Sequence, residues 1–214
     1  MSEARSPEDV RAFLRVLDPS DDATGGGTAS AVAGAMAAAL AAMVARLSIG
    51  REGMEPEAYY AGVRDEGQGL ADELFRGGRE DSEAFDAVRA AFRLPKESEE
   101  ERSRRSAAIQ AAMVGAAHVP LENARRCRRV LDLCAELEGR SNPNVASDLT
   151  CAGELARAGL MGCLANVDIN LPSIKDEGVR AEMAREAAGL RAAPAGPGDG
   201  EASGDADGAP GNGG

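Results

Sequence analysis

Apolar residues along most of the chain recur three and four positions apart, which is the spacing of amphipathic helices. No run of alternating β-branched residues interrupts this pattern. The first apolar stripe is formed by Val10, Phe13, Leu14 and Leu17. Ser6 suits the capping position ahead of this stripe, and Pro7 suits the first helical position. The pattern therefore predicts a short amphipathic helix near the start of the chain.

Two longer helices are predicted in the next part of the sequence. An alanine-rich segment from about residue 28 to residue 49 carries almost no charge, and its small side chains allow other helices to approach closely. A further helix is predicted from near Pro56 to about Phe92, with a candidate break at Gly77 and Gly78. A proline at position 95 disfavours helical backbone just before it, so this helix is expected to end there.

The second half of the chain continues the helical pattern. Ser98 and Glu101 fit a capping box, and the helix that they open is expected to bend before Pro120 and continue to about residue 137. After the loop RSNPNVAS, two more helices are predicted at about residues 148–166 and from the segment NVDINLPSIKDE to near Leu190. The sequence thus predicts an all-α fold, a bundle-like array of five to seven mainly antiparallel helices in a single domain.

The composition changes abruptly near residue 192. The segment from there to residue 214 consists of Gly, Pro, Ala and acidic or small polar residues and contains no large apolar side chain. Such a segment cannot bury enough apolar surface to offset the entropy of ordering it. We therefore predict a helical domain at residues 1–191 and a disordered acidic tail at residues 192–214.

Composition and charge limit the classes of partner. The chain is 43% apolar but only 3% aromatic, so its core is expected to consist of Ala, Leu, Val and Met. A net charge of −12 disfavours nucleic acids and anionic membrane surfaces. The N-terminus has no apolar stretch of the kind found in signal peptides, and the alanine-rich segment is better suited to a core helix than to a membrane span. A cytoplasmic location is expected.

Cysteine and histidine usage argues against a zinc site. The four cysteines form no C-x-x-C pair and there is a single histidine, so well-spaced ligands are too few. The cysteines are expected to be free and mostly buried thiols. His118 lies in an apolar stretch before Pro120, and we interpret it as a packed or interface residue rather than a catalytic one.

The most unusual local feature is the segment DDATGGGTAS at residues 21–30. Three successive glycines cost backbone entropy, which indicates a positive φ angle or a close approach of the backbone to another group. The start of a helix also offers unpaired N–H groups and partial positive charge to an anionic ligand atom. The segment fits neither a P-loop nor a dinucleotide-binding fingerprint. Two hypotheses remain open: a loop that positions a ligand, and a tight helix start without a ligand.

The segment GGGTASAVAGAMAAALAAMVARLSIGR resembles the start of formiminotetrahydrofolate cyclodeaminases and methenyltetrahydrofolate cyclohydrolases. Later blocks match the same family in the same order, including Asp81 with Ala84 and Phe85, the Leu-Pro-Lys sequence at 94–96, Pro120-Leu121, Asn144 with Ser147-Asp148-Leu149, and NVDINL at 166–171. The chain has Thr24 where the family usually has Pro, and Thr28 where Ser is common. The resemblance implies a helical homodimer that acts on a tetrahydrofolate derivative without a metal or a bound prosthetic group.

The resemblance marks Asp81 as the catalytic residue, and a carboxylate there can act as a general acid and base. Glu80 and Glu83 are neighbouring alternatives. The residues expected to contact the substrate are Gly25, Gly26, Gly27, Thr28, Asn144, Ser147, Asp148, Asn166 and Asn170. Some of them also have structural interpretations, because Ser147 and Asp148 suit a helix start and the two later asparagines could hold the turn before Pro172. Arg46, Arg51 and Lys175 are either binding sites for the glutamate tail of folate or solvated surface charges.

The predicted reaction is hydrolysis of 5,10-methenyltetrahydrofolate to 10-formyltetrahydrofolate, because this chain stands without the formiminotransferase domain of the bifunctional relatives. The same residues would support a formiminotetrahydrofolate cyclodeaminase that releases ammonia. Two hypotheses without catalysis are also open. One is a folate-binding protein without turnover, suggested by Thr24, and the other is a helical interaction module that recruits a partner through the acidic tail.

Overall fold

The computed structural model describes residues 7–21 and 24–192, and these residues form six α-helices without a β-strand. The helices are α1 (Pro7–Val16), α2 (Gly26–Ser48), α3 (Glu57–Phe92), α4 (Glu99–Leu137), α5 (Ala146–Asn170) and α6 (Glu177–Ala192). Short 3₁₀ turns at Pro143–Val145 and Leu171–Ser173 flank α5. This architecture confirms the predicted all-α bundle. The Ser6 cap and, apart from Ala192, the predicted acidic tail lie outside the described residues.

Helix α2 occupies the centre of the bundle, where it packs against α3, α4 and α5. Glycines on its neighbours allow close contact: a Cβ atom at Gly159 would lie 2.9 Å from the Ser30 carbonyl oxygen, and one at Gly67 would lie 3.2 Å from the Ala38 carbonyl oxygen. Within the described part of the chain, α2 alone is long and apolar enough to cross a membrane. Other helices bury 61% of its most apolar 18-residue stretch, so α2 is packed as a core helix.

The predicted break at Gly77 and Gly78 is wrong, because α3 runs through both glycines without interruption. Both are buried where α3 meets its neighbours. A Cβ atom at Gly77 would lie 2.8 Å from Cγ of Asn123, and one at Gly78 would lie 3.4 Å from the Thr28 carbonyl oxygen. Asn123 also donates a hydrogen bond from Nδ2 to the Gly77 carbonyl at 3.2 Å. These glycines therefore serve close packing between helices rather than a change of chain direction.

Helix α4 begins as predicted and is longer than a globular helix usually is. Ser98 Oγ accepts a hydrogen bond from the Glu101 N–H at 3.1 Å, while the Glu101 carboxylate accepts one from the Ser98 N–H at 3.0 Å. The predicted capping box is therefore confirmed. The helix continues through Pro120 to Leu137 as one element. The residues that prolong it are buried in the same core cluster as those of α2 and α5.

The four cysteines are free thiols, and three of them, Cys127, Cys134 and Cys163, are buried. This agrees with the predicted state of the cysteines. Cys127 and Cys163 are in hydrogen-bond contact between α4 and α5. The hydrogen bond with the Cys127 thiol and burial both raise the pKa of Cys163, so the Cys163 thiol remains protonated in the apolar core.

Candidate active site

An open cavity of about 400 Å³ lies where the start of α2 meets α3, α4 and the end of α5. Its walls are formed by Gly25, Gly26 and Gly27, by Asp81, Phe85 and Val88 of α3, by Met113 and Ala116 of α4, and by Asn166, Ile169, Asn170 and Ser173. Most of this surface is apolar, with a few polar groups directed into it. Among the described residues that line the cavity, Asp81 is the only ionisable one. Such a composition is typical of a small-molecule site.

The Asp81 side chain is held by the first turn of α2. Its Oδ2 accepts a hydrogen bond from Thr28 Oγ1 at 3.0 Å, and the Thr28 backbone N–H also donates to the carboxylate. Burial raises the pKa of Asp81, while the two Thr28 hydrogen bonds partly counteract this rise. A carboxyl group with a raised pKa exchanges protons more readily near neutral pH than an exposed aspartate does. Asp81 thus has both the location and the electrostatics of a general acid and base.

Gly27 makes the close approach between α2 and Asp81 possible. A Cβ atom at this position would lie 2.5 Å from Asp81 Oδ2 and 2.7 Å from Cγ, so no larger residue fits without displacing the carboxylate. The backbone at Gly25 is extended, with φ −120°, so neither of these glycines is required by a positive φ angle. The close approach, rather than an unusual turn, therefore explains why a glycine stands at position 27.

The start of α2 leaves backbone donors open to the cavity. Its N-cap residue, Gly25, provides no side-chain hydrogen bond, and the first turn contains no acidic residue. The N–H groups of a first turn have no partner within the helix. Asp81 takes the Thr28 N–H, and the neighbouring glycines border the cavity directly. This end of α2 can therefore donate hydrogen bonds to an electronegative atom of a ligand.

The loop before α2 is anchored by two residues that sequence reasoning missed. Asp21 Oδ1 accepts a hydrogen bond from the Thr24 N–H at 3.0 Å, and its Oδ2 accepts one from Arg15 Nε at 2.5 Å. Arg15 also lies 3.5 Å from Ser82 Oγ, next to Asp81 in the chain. The three-residue spacing of Asp21 and Thr24 is a local turn signal, but no sequence signal identifies Arg15 as the second anchor. Thr24 itself is buried, and its hydroxyl has no hydrogen-bond partner among the residues that the structure describes.

Asn170 links α4 and α5 at the wall of the cavity. Proline has no N–H, so Pro120 leaves the carbonyl four residues earlier, that of Ala116, without its helical hydrogen bond. Asn170 Nδ2 donates to this Ala116 carbonyl at 2.9 Å and to the Asn166 carbonyl at 2.9 Å. Both amide hydrogens of Asn170 are thus used within the protein, which leaves its Oδ1 as the group that can face a ligand. The amide nitrogen of Asn170 therefore has a structural role, which is one of the two roles expected from the sequence.

Replacing Asn170 by Ala is expected to lower the free energy of unfolding by about 1–2 kcal/mol, because the partly buried Ala116 carbonyl loses its partner. In a Pro120→Ala background the new N–H can bond to the Ala116 carbonyl, so the same substitution should cost clearly less. Urea unfolding of the four proteins of this double-mutant cycle measures the difference. An equal cost in both backgrounds would show that Asn170 does not compensate for the proline.

The structure brings only part of the predicted site together. Asn144, Ser147 and Asp148 lie at the opposite end of α5, and eighteen positions of this helix, about 27 Å, separate Asp148 from Asn166. There they neighbour a second cavity, of about 610 Å³, whose lining includes Pro143 and Ala146. Within one chain they do not contact the Asp81 cavity. Their role as substrate-binding residues stays a prediction.

Ser147 and Asp148 are also expected to stabilise the start of α5, and the structure supports this role only for Asp148. Ser147 is not the N-cap of α5, because the helix begins at Ala146 and the capping residue is Val145. Asp148 lies in the first turn, where its charge is favourable. Asn142 caps the preceding 3₁₀ turn, Pro143–Val145, because its Oδ1 accepts a hydrogen bond from the Asn144 N–H at 3.0 Å.

Other predicted candidates lie away from the cavity. Glu80 does not line it, and Glu83 is paired with Arg79 at 2.7 Å on the outer side of α3. His118 has a side chain that is 54% exposed and lies 3.5 Å from Glu122. It is therefore a surface residue of this chain and not a packed one. Of the acidic candidates on α3, Asp81 is the one that faces the cavity.

Comparison with known proteins agrees with the fold and with the sequence motifs. Residues 9–189 match the family model described as formiminotransferase-cyclodeaminase. The methenyltetrahydrofolate cyclohydrolase of Methylorubrum extorquens is 40% identical over 186 residues, which cover 86% of this chain and 89% of that protein. The formimidoyltransferase-cyclodeaminase of Gallus gallus is 32% identical over 81% of this chain, but the match spans only 32% of that longer protein.

A solved structure shares the arrangement of helices. The crystal structure of formiminotetrahydrofolate cyclodeaminase from Thermotoga maritima matches with a TM-score of 0.74 and 32% sequence identity. The match covers 84% of this chain and 86% of that one. The resemblance first seen in the glycine-rich segment thus extends over nearly all of the helical domain. This chain belongs to the formiminotransferase-cyclodeaminase family.

Proposed function

We propose that the protein hydrolyses 5,10-methenyltetrahydrofolate to 10-formyltetrahydrofolate. The observation that carries this proposal is the buried Asp81 carboxylate, which faces an otherwise uncharged cavity beside the open first turn of α2. The 40% identity to a methenyltetrahydrofolate cyclohydrolase over 89% of that protein supports the choice of reaction.

The charge of the substrate suits this cavity. The carbon between N5 and N10 of a methenyl-folate is part of an amidinium-like cation, so an ionised Asp81 attracts it and the apolar walls strengthen this attraction. Asp81 can then accept a proton from the attacking water while the water oxygen forms its bond to the methenyl carbon. The product of this step is a neutral ring that carries a hydroxyl group on the former methenyl carbon.

Opening of the ring returns the proton. The carbon–N5 bond breaks, the protonated Asp81 donates its proton to N5, and the hydroxyl group loses its own proton to solvent as the formyl C=O forms on N10. One water is consumed and one proton is released overall. The open N–H groups at the start of α2 can stabilise the oxygen on which negative charge develops. The raised pKa of Asp81 suits a group that must accept and donate a proton in one cycle.

A second candidate reaction is the cyclodeamination of formiminotetrahydrofolate with release of ammonia, favoured by the similarity to the Thermotoga maritima structure. Asp81 would serve there as well, because N10 attacks the same carbon and a proton must reach the departing nitrogen.

An assay with both substrates distinguishes the two reactions. We expect the purified protein to accelerate the loss of the methenyl absorbance band and to release no more ammonia from formiminotetrahydrofolate than buffer does. Ammonia release faster than methenyl hydrolysis would favour the cyclodeaminase. Tight binding of the folate without either reaction would indicate a folate-binding protein. A biological effect that depends on residues 192–214 but not on Asp81 would favour an interaction module.

The proposed assembly is a homodimer in the cytoplasm. Helix α2 carries a line of uncharged, partly exposed residues, Ala33, Met36, Leu40, Met43 and Leu47, and Met161 of α5 is exposed on the neighbouring helix. An apolar surface of this kind favours contact with a second copy of the chain. The buried thiols suit a reducing compartment. Sedimentation equilibrium should give about twice the chain mass of 22.0 kDa, whereas a single-chain mass would contradict the dimer.

A further inference from the structure

The Asp81 cavity provides no cation for the anionic end of a folate. The proposed substrate carries a positive methenyl centre at one end and the carboxylates of its glutamate tail at the other. Asp81 suits the first, but the described residues that line the cavity include neither Lys nor Arg. The chain as a whole carries a net charge of −12, which repels a free carboxylate. A cation at the rim of the cavity is therefore needed to favour the tail.

Lys175 lies two residues beyond Ser173, which lines the cavity, with Ile174 between them. Ile174 is only 1% exposed and has an extended backbone, with φ −85° and ψ 117°. Alternate residues of an extended segment point to the same side. Ile174 is directed into the core, whereas Ser173 and Lys175 are both exposed, so the Lys175 side chain leaves the segment on the same side as Ser173.

The backbone around Lys175 is fixed in place from both sides. Gln110 of α4 accepts a hydrogen bond at Oε1 from the Lys175 N–H at 2.8 Å and donates one from Nε2 to the Ser173 carbonyl at 3.3 Å. Arg180 Nη1 donates to the carbonyl of the intervening Ile174 at 3.0 Å. This arrangement holds the segment against α4 and α6. The Lys175 ammonium group forms no ion pair with the described residues and is thus available to a ligand.

The other candidate cations are less suitable. Arg46 lies in the last turn of α2, twenty positions or about 30 Å from Gly26. Arg51 lies beyond the end of that helix and donates to the Leu47 carbonyl. Arg89 and Arg105 are engaged with aromatic rings, since their guanidinium groups lie 6.0 and 5.6 Å from the ring centres of Phe85 and Phe92. Of the three cations singled out in the sequence, only Lys175 lies within two residues of a residue that lines the cavity.

We propose that Lys175 binds a carboxylate of the glutamate tail, so that the substrate spans the cavity from Asp81 to the segment that follows α5. This inference rests on the proposed function, because it assumes a folate in the cavity. It makes Lys175 a determinant of substrate binding and not a catalytic residue. Recognition is expected to weaken as salt screens the exposed ion pair.

The test compares binding of two products that differ only in the tail. Isothermal titration calorimetry with 10-formyltetrahydrofolate and with 10-formyltetrahydropteroate, which lacks the glutamate, measures binding independently of turnover. Lys175→Gln should raise the Kd of the glutamate-bearing ligand about fivefold and leave that of the pteroate ligand unchanged. Wild-type protein should bind the pteroate ligand about fivefold more weakly than the folate. Lys96→Gln is the matched control, since Lys96 is exposed in the loop before α4.

Several results would overturn the inference. They are an unchanged Kd for the folate in Lys175→Gln, an equal loss for both ligands, the same loss in Lys96→Gln, and a wild-type protein that binds neither ligand. Failure of the proposed function is a separate result, because it would appear as absent turnover of methenyltetrahydrofolate. A protein that binds the folate through Lys175 but does not hydrolyse it would retain this inference and reject the hydrolase.

Discussion

Replacing Asp81 by Asn is expected to lower kcat for methenyltetrahydrofolate hydrolysis by about 10³-fold. The amide has nearly the same shape and can still accept a hydrogen bond from Thr28, but it cannot take a proton from water or return one to N5. The initial rate of loss of the methenyl absorbance, measured at saturating substrate and corrected for buffer hydrolysis, checks this. Glu80→Gln is the matched control, since this neighbouring acid does not line the cavity, and it should retain wild-type kcat. A Glu80 variant as slow as the Asp81 variant would remove the case for Asp81.

The same Asp81 variant should differ from wild type in how its stability depends on pH. Burial raises the pKa of Asp81 above the ordinary value of 3.8, so the folded protein holds this proton more tightly than the unfolded chain does. The stability of wild type relative to Asp81→Asn is therefore highest below pH 3.8 and falls as pH rises through the folded-state pKa. Urea unfolding of both proteins across this range measures the change. A pH-independent difference, or one of the opposite sign, would contradict the assigned environment.

Replacing Gly27 by Ala is expected to lower kcat/KM by about 100-fold without removing any functional group. The added Cβ atom would lie 2.5 Å from Asp81 Oδ2, a distance that real contacts do not reach, so the carboxylate or the start of α2 must move. Misplacing a catalytic group by about 1 Å can cost about this much in rate. The overlap should also lower the free energy of unfolding by about 1–3 kcal/mol. Steady-state kinetics and urea unfolding together measure both effects.

Gly69→Ala provides the comparison for a glycine without such a contact. Gly69 lies within α3, and a Cβ atom there would meet nothing within 4 Å. Because alanine is favoured over glycine inside a helix, this variant should be more stable by about 0.5–1 kcal/mol and fully active. If Gly27→Ala behaved like Gly69→Ala in both measurements, the close approach of α2 to Asp81 would not matter for function.

Much of the fold follows from local sequence signals, because apolar residues recur at helical spacing along most of the chain and several helices carry their own end signals. The capping box at Ser98 and the close packing around the alanine-rich α2 are of this kind. The continuity of α3 could not be predicted in this way. Gly77 and Gly78 have the local character of a helix break, and only the proximity of Asn123 and Thr28 explains why the helix needs them.

Which residues form the site could not be predicted from the sequence alone, because it depends on contacts between helices that are far apart in the chain. Asp81 and the glycines are far apart in the chain, and their contact requires α3 to cross the start of α2. Asp148 and Asn166 lie at opposite ends of one long helix, so the predicted group of substrate-binding residues is divided. Part of the role of Asn170 could be read from the sequence, because Pro120 leaves the carbonyl four residues earlier, that of Ala116, without its helical hydrogen bond. Which side chain would satisfy that carbonyl required the packing of α5 on α4.

The central claim is that Asp81 in the cavity at the start of α2 catalyses hydrolysis of a methenyl-folate. The most direct test is the decay of the methenyl absorbance band with wild-type protein, with Asp81→Asn and with buffer alone, together with identification of the product. The account predicts rapid decay to 10-formyltetrahydrofolate with wild type and decay about 10³-fold slower in kcat with the variant. Decay with wild type that does not exceed decay in buffer would contradict the account.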